Sequence, residues 1–170
     1  MLTFLFRGLT AQPARGDRLF EAVTATARQP HWYVDGAVPD TLDGRFAVLA
    51  TFAALLINRL EQLGDGGDLL VVALTERFIE VMEAEHRELG LGDPSLGKTV
   101  RKLVSSLARR TELWRAAIAG EREWHDCARH SLYRSEPTAD ALAHASTAVK
   151  SAWSKLERTD LGALADGRIE

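Results

Sequence analysis

Residues 92–99, Gly-Asp-Pro-Ser-Leu-Gly-Lys-Thr, satisfy the phosphate-loop spacing G-x-x-x-x-G-K-[ST] letter by letter. In a nucleotide-binding protein this spacing lets backbone amides wrap the phosphates while the lysine and hydroxyl reach the terminal phosphate and its magnesium. That chemistry needs a parallel strand delivering the chain to the loop, and residues 80–89 instead carry a helical pattern. Pro94 removes one amide from the cradle. The segment reads more simply as a helix start, with Asp93 as N-cap and Pro94 at the first helical position, and no nucleoside triphosphate is expected as a partner.

Glu83 and His86 have the Glu-x-x-His spacing of half a di-iron ligand set, but no second pair follows, since His125 has no glutamate three residues before it. Cys127 and His130 share a helix face, yet a structural zinc needs four ligands. Neither a metal nor another cofactor is expected. His125, Asp126 and Cys127 are consecutive, so on a helix their side chains diverge by about 100° and form no nucleophilic triad. Trp114, Trp124 and Trp153 fall on apolar faces and read as core. A more suggestive feature is Lys98, Arg101, Lys102 and Arg109, on a segment with no acid from Pro94 through Thr111. This is either a solvated helix face or an electrostatic contact with RNA, anionic lipid or an acidic protein.

The elements that must position these residues are helices, because apolar residues recur at three- and four-residue spacing between Gly and Pro punctuation and strand signals are nearly absent. The predicted fold is an all-α, single-domain bundle of about six helices, with an N-terminal tail over 1–16, a helical domain over 17–158 and a fraying tail over 159–170. The helices are expected over about 17–28, 41–63, 69–89, 95–119, 121–134 and 138–158. The second is central, with Phe46, Leu49, Phe52, Leu56 and Leu60 inward, Asp40 as N-cap and Asp43 in its first turn. Asp65-Gly66-Gly67 reads as a flexible turn.

At 46% apolar and 26% charged the composition is globular, and 170 residues fit one domain. A net charge of −3 excludes a generally basic nucleic-acid binder, so DNA is not an expected partner. The single cysteine, Cys127, forms no internal disulfide, which fits a reducing cytoplasm. The longest apolar stretch, residues 46–57, is too short to cross a bilayer, which takes about 20 residues. The apolar start Met1-Leu-Thr-Phe-Leu-Phe6 lacks the charged n-region of a signal peptide and reads as a short docking tail.

Two blocks carry a more specific signal: His31-Trp32-Tyr33-Val-Asp-Gly36-Ala-Val-Pro39-Asp40-Thr41-Leu42-Asp43-Gly44-Arg45-Phe46, and Arg87-Glu-Leu-Gly90-Leu-Gly92-Asp93 followed by Gly97-Lys98. Together they resemble the signature of the ubiquinol–cytochrome c chaperone family, whose mitochondrial members assist cytochrome b during bc1 complex assembly. The sequence departs from the family pattern at Ala37, where members usually have Gly, at Thr99, where a basic residue is common, and at Leu-Ala-Arg109, where an aromatic-Gly-Arg run is typical. With no mitochondrial targeting segment in view, the resemblance implies a compact bacterial member.

That resemblance implies a noncatalytic assembly chaperone with cytochrome b as client, cytoplasmic or peripheral at the inner face of the inner membrane, with the ribosome or a second assembly factor as further partners. An apolar groove would shield membrane segments. The competing class is an enzyme or small-ligand protein using a cleft near His31, Tyr33, Asp43 and Arg45, for which an enclosed polar pocket would speak.

Overall fold

The computed structural model describes residues 13–88, 90 and 93–169. Their regular structure is helical throughout: α1 (Pro13–Ala27), a 3-10 turn (Pro30–Trp32), α2 (Leu42–Gln62), α3 (Asp65–Glu88), α4 (Asp93–Ile118), α5 (Trp124–Leu132), α6 (Ala139–Arg158) and α7 (Leu161–Ala165). The expected all-α bundle is what forms. The suggested N-terminal docking tail lies outside the described residues over 1–12, as do Leu89, Leu91 and Gly92 of the second motif block.

α2 is the axis of the bundle, packing against α1, α3, α4, α5 and α6. From Ala50 to Asn58 every residue is buried, so this helix is covered all round rather than along one stripe. Its two buried polar side chains are satisfied. The Thr51 and Ser131 hydroxyls share a hydrogen bond of 2.6 Å, and the Asn58 amide donates to the carbonyls of Ala54 (2.9 Å) and Thr111 (3.0 Å). The Trp114 indole N–H also donates to Ser131 Oγ, at 3.3 Å, which joins α2, α4 and α5 through one small polar knot in the core. An unmet donor there would cost about 1–3 kcal/mol, so the knot favours one register of the three helices.

Several helix ends differ from the sequence expectation, each for a local reason. α1 begins at Pro13 rather than Asp17. α3 begins at Asp65, so Asp65-Gly66-Gly67 is the first turn of a helix. Gly64, at φ +71°, makes the reversal alone, and Gly67 sits where an added Cβ would lie 1.8 Å from the Leu60 carbonyl oxygen. The N-cap of α2 is Thr41, whose hydroxyl accepts from Gly44 N at 3.2 Å, while the expected cap Asp40 is committed to Arg45 at 2.6 Å.

The C-terminal segment does not fray over 161–165. Asp160 caps α7 by accepting from Ala163 N at 2.8 Å, Leu164 is fully buried, and α7 packs on α1 and α3. α4 ends in a Schellman arrangement, with Gly120 at φ +76° and Glu121 N donating to the Ala116 carbonyl at 2.9 Å.

Candidate functional site

The first motif block, residues 31–46, forms the connection from α1 to α2 and is held by its own backbone. Pro30 cannot continue α1, and the orphaned carbonyls at that helix end find side-chain donors. The Trp32 indole N–H donates to Thr26 O and the Tyr33 hydroxyl to Ala27 O, both at 2.9 Å. Gly36 N and Val38 N donate back to the carbonyls of His31 (2.8 Å) and Trp32 (3.0 Å), and the Tyr133 hydroxyl donates to Gly36 O at 2.5 Å. The coil leaves Ala37 at φ +47°, a left-handed conformation that glycine adopts without cost, which gives a physical sense to the glycine of the family pattern.

Gly44 is fixed by closeness: an added Cβ would lie 1.9 Å from the Pro39 carbonyl oxygen. The run Pro39-Asp40-Thr41-Leu42-Asp43-Gly44-Arg45-Phe46 therefore has a structural content. Thr41 caps the helix, Asp43 sits where the dipole favours a carboxylate, Gly44 lets the loop close on it, and Arg45 holds Asp40. The Arg45 guanidinium keeps the Asp40 carboxyl below its usual range, but both groups are exposed and the pair contributes little to stability.

This connection forms one lip of an open groove of about 1060 Å³. Its opposite wall is the C-terminal half of α3, and α1 and α4 close the sides. The floor is apolar: Phe20, Phe46, Leu49, Val81, Met82 and Leu103. Val34 and Leu42 stand at the mouth, 75% and 62% exposed. Charged groups rim it, among them Arg28, Asp43, Arg45, Glu85 and Glu88. Phe46 is half-buried, packed at 6.1 Å on Phe78 and covered from behind by the Arg110 guanidinium, 5.8 Å from the ring centroid. Arg110 also donates to the Ser131 carbonyl (2.8 Å) and to Ser106 Oγ, and burial, with Arg109 and Arg134 nearby, lowers its pKa to about 10.

The four residues of the suggested enzymatic cleft are divided. Tyr33, Asp43 and Arg45 line the groove, whereas His31 turns away, sharing a 3.0 Å hydrogen bond with His144 of α6 and another with Gln29. Each of the other three is committed to a neighbour: Tyr33 to Ala27 O, Arg45 to Asp40, and Asp43 to Arg134 at 3.2 Å. The cavity is open rather than enclosed, and its apolar floor is bordered by ionisable side chains, among them Asp43, Arg45, Glu85 and His86.

The second motif block lies apart from this lip. Gly90, at φ +84°, ends α3; Asp93 opens α4; Gly97 and Lys98 fall within its first two turns. The element before the phosphate-loop look-alike is a helix. Among the described residues no three His, Cys, Asp or Glu side chains converge to hold a metal, and the His86 ring is bonded to the Met82 carbonyl at 2.8 Å. Cys127 is buried, donates to Leu113 O, and has its thiol pKa pushed up by that burial. Lys98, Arg101, Lys102 and Arg109 are all exposed, and among the described residues they take part in no ion pair.

The walls contributed by α1 and α3 were not singled out from the sequence. Phe20, Thr24 and Ala27 repeat at helical spacing on α1, with Arg28 just past its end, and Val81, Met82, Glu85 and Glu88 on α3. The only signal available was a stripe that turns from apolar to charged toward the C-terminal end of each helix.

The family model described as "Ubiquinol-cytochrome C chaperone" matches residues 34–170. Among solved structures, the crystal structure of the Cbp3 homolog from Brucella abortus is similar, with a TM-score of 0.78 and 24% identity over 100% of this chain and 96% of that one. At that identity the likeness speaks for the fold. Comparison with curated proteins gave no match.

Proposed function

The chain belongs to the ubiquinol–cytochrome c chaperone family, and from that premise we propose that its groove receives an apolar segment of cytochrome b while the complex is being built. Membership makes it an assembly chaperone for the ubiquinol–cytochrome c reductase (bc1) complex. The observation that carries the finer reading is the groove itself: an apolar floor, exposed aliphatic side chains at the mouth, and a charged rim.

Cytochrome b is a membrane helix bundle, and before its haems are in place its apolar helices find neither lipid nor partner in water. Each buried methylene removed from water is worth about 0.8 kcal/mol, so even partial cover of such a segment is strongly favourable. A helix about 10–12 Å across would lay two or three turns in a volume of this size, with anchors at i, i+3, i+4 and i+7 against Phe46, Val81 and Leu103. The role needs shape and apolar surface and no bond-making, so the protein acts without catalysis and without a resident cofactor.

The test is co-purification of newly made cytochrome b with the tagged chain, compared with a variant carrying Val81→Glu and Leu103→Glu on the groove floor. Capture by the parent and loss in the variant support the reading. Normal accumulation of cytochrome b in a deletion strain that respires through bc1 contradicts it.

A further inference from the structure

The contact that ties His31 to α6 lies outside the groove, and we propose that this histidine pair is a binding site for a divalent transition-metal ion, nickel(II) in class. His31 Nδ1 and His144 Nε2 stand 3.0 Å apart. A metal–imidazole bond is about 2.0–2.1 Å long, so two such bonds meeting at about 90–95° span the same distance. The two nitrogens therefore already have the separation of neighbouring ligands on one ion. An octahedral or square-planar ion asks for an angle of about 90° and fits with the rings where they stand. A tetrahedral ion asks for about 109°, which would open the pair by about 0.4 Å.

The surroundings orient the donors. Gln29 Oε1 lies 3.0 Å from His31 Nε2 and accepts its proton, which leaves a lone pair on Nδ1. This is the part an outer hydrogen-bond partner plays for a metal-bound imidazole, fixing both tautomer and ring direction. The other support is Trp32, buried and stacked on the His31 ring with centroids 4.2 Å apart. His144 gives up the proton of the shared hydrogen bond. It passes through water from Nε2 to Nδ1, which has no hydrogen-bond partner among the described residues, so both rings stay neutral and no proton is released. Burial, with His144 second, also disfavours a proton on His31, against the pull of Asp35, and a ligand must be in that neutral form.

The charge nearby suits a cation. Asp35 acts on His31 from the same turn, and Asp140 stands one turn before His144 on the same face of α6. Asp140 is exposed and among the described residues takes part in no ion pair. The other neighbours of His144 along the helix, Ala141, Thr147 and Ala148, are uncharged. Imidazole donors select transition metals over magnesium, which prefers oxygen. Two protein ligands leave the remaining positions to water, so the ion exchanges. While bound, it joins the first motif block to α6 by two coordinate bonds in place of one hydrogen bond.

The experiment is calorimetric titration of the untagged full-length chain, stripped with a chelator, with Ni2+ and, separately, Mg2+. Ni2+ is expected to bind with a Kd tighter than about 100 μM, and Mg2+ not to bind. His31→Gln and His144→Gln should each weaken Ni2+ binding by more than about tenfold, and Gln29→Ala by about tenfold. Asp140→Asn removes only a neighbouring charge and should cost about two- to fivefold. A control, His125→Gln with His130→Gln on exposed positions of α5, should stay within about twofold of the parent. Should a variant melt early, the parent itself supplies a second readout: paramagnetic Ni2+ should broaden the ring NMR signals of His31 and His144 first and leave those of His86, His125 and His130 sharp.

Ni2+ binding weaker than about 100 μM, equal binding in the His31 and His144 variants, or broadening centred on His86, His125 or His130 would overturn the inference. Client capture through Val81 and Leu103 is read separately, so either idea can fall without the other.

Discussion

Gly44 and Gly97 sit in helices, each within one of the two motif blocks, and the same Gly→Ala change at the two is expected to move stability in opposite directions. At Gly97 an added methyl meets nothing within 4 Å. Only the helix-propensity gain operates there, worth about 1 kcal/mol, which for a chain of this length raises the melting temperature by about 2–4 °C. At Gly44 the methyl would lie 1.9 Å from the Pro39 carbonyl oxygen. That oxygen would have to retreat by roughly 1.5 Å to reach an ordinary contact, while it accepts from Thr41 N at 2.8 Å and its neighbour Val38 N is tied to Trp32 O at 3.0 Å. A forced shift of this kind costs about 3 kcal/mol; set against the same propensity gain, the net loss is about 2 kcal/mol, or about 4–8 °C. Thermal melts followed by circular dichroism at one pH and protein concentration decide it. A Gly44→Ala protein as stable as the parent, or a Gly97→Ala protein destabilised as much, would refute the claim that closeness of backbone to backbone explains the glycine of the first block.

Further outcomes follow from the same contacts. Ser131→Ala strands both the Thr51 hydroxyl and the Trp114 N–H in the core and should cost about 2–4 kcal/mol by chemical denaturation, whereas Thr51→Val, which removes one partner and leaves Ser131 bonded to Trp114, should cost about 1 kcal/mol. Burial, with His144 second, holds the His31 imidazole below its ordinary value against the pull of Asp35. The unfolded chain therefore takes up this proton first, and stability should decline as pH falls from about 6.5 toward the folded value. His31→Gln should flatten that decline in pH-dependent melts; an unchanged slope would contradict it. The Cys127 thiol, buried and held high, should resist iodoacetamide at pH values near 8 in the native protein and react at once in denaturant.

Helical periodicity was enough to place the core of most elements. Leu19, Val23 and Ala27 of α1, Leu56 and Leu60 of α2, Leu107 and Trp114 of α4, and Val149, Trp153 and Leu156 of α6 are inward as their spacing demands. The same periodicity could not find the groove. Phe46, Leu49, Val81 and Leu103 have the spacing of core residues, and they stay half-open because they line the groove, a matter of packing between segments distant in sequence.

Helix ends were legible only where one residue had no competitor. Asp40 and Thr41 are both good caps, and the choice of Thr41 follows from the Asp40–Arg45 pair and the fit of Gly44, neither of which is a local propensity. The Gly- and Asp-rich C-terminal segment looked loose by composition, yet Asp160 is an N-cap and Leu164 finds a buried site against α1 and α3. The motif blocks were the more informative signal for function. They marked the lip of the groove and the start of α4, while the walls that complete the groove are built from residues with no unusual pattern.

The most direct measurement places a photo-activatable cross-linker at Val81 on the groove floor and, separately, at Glu157 on the exposed side of α6, in cells making cytochrome b. The account predicts that the Val81 probe captures newly made cytochrome b and the Glu157 probe does not. Equal capture from both positions, or capture from Glu157 alone, would show that the client is held elsewhere and would contradict the groove as its binding site.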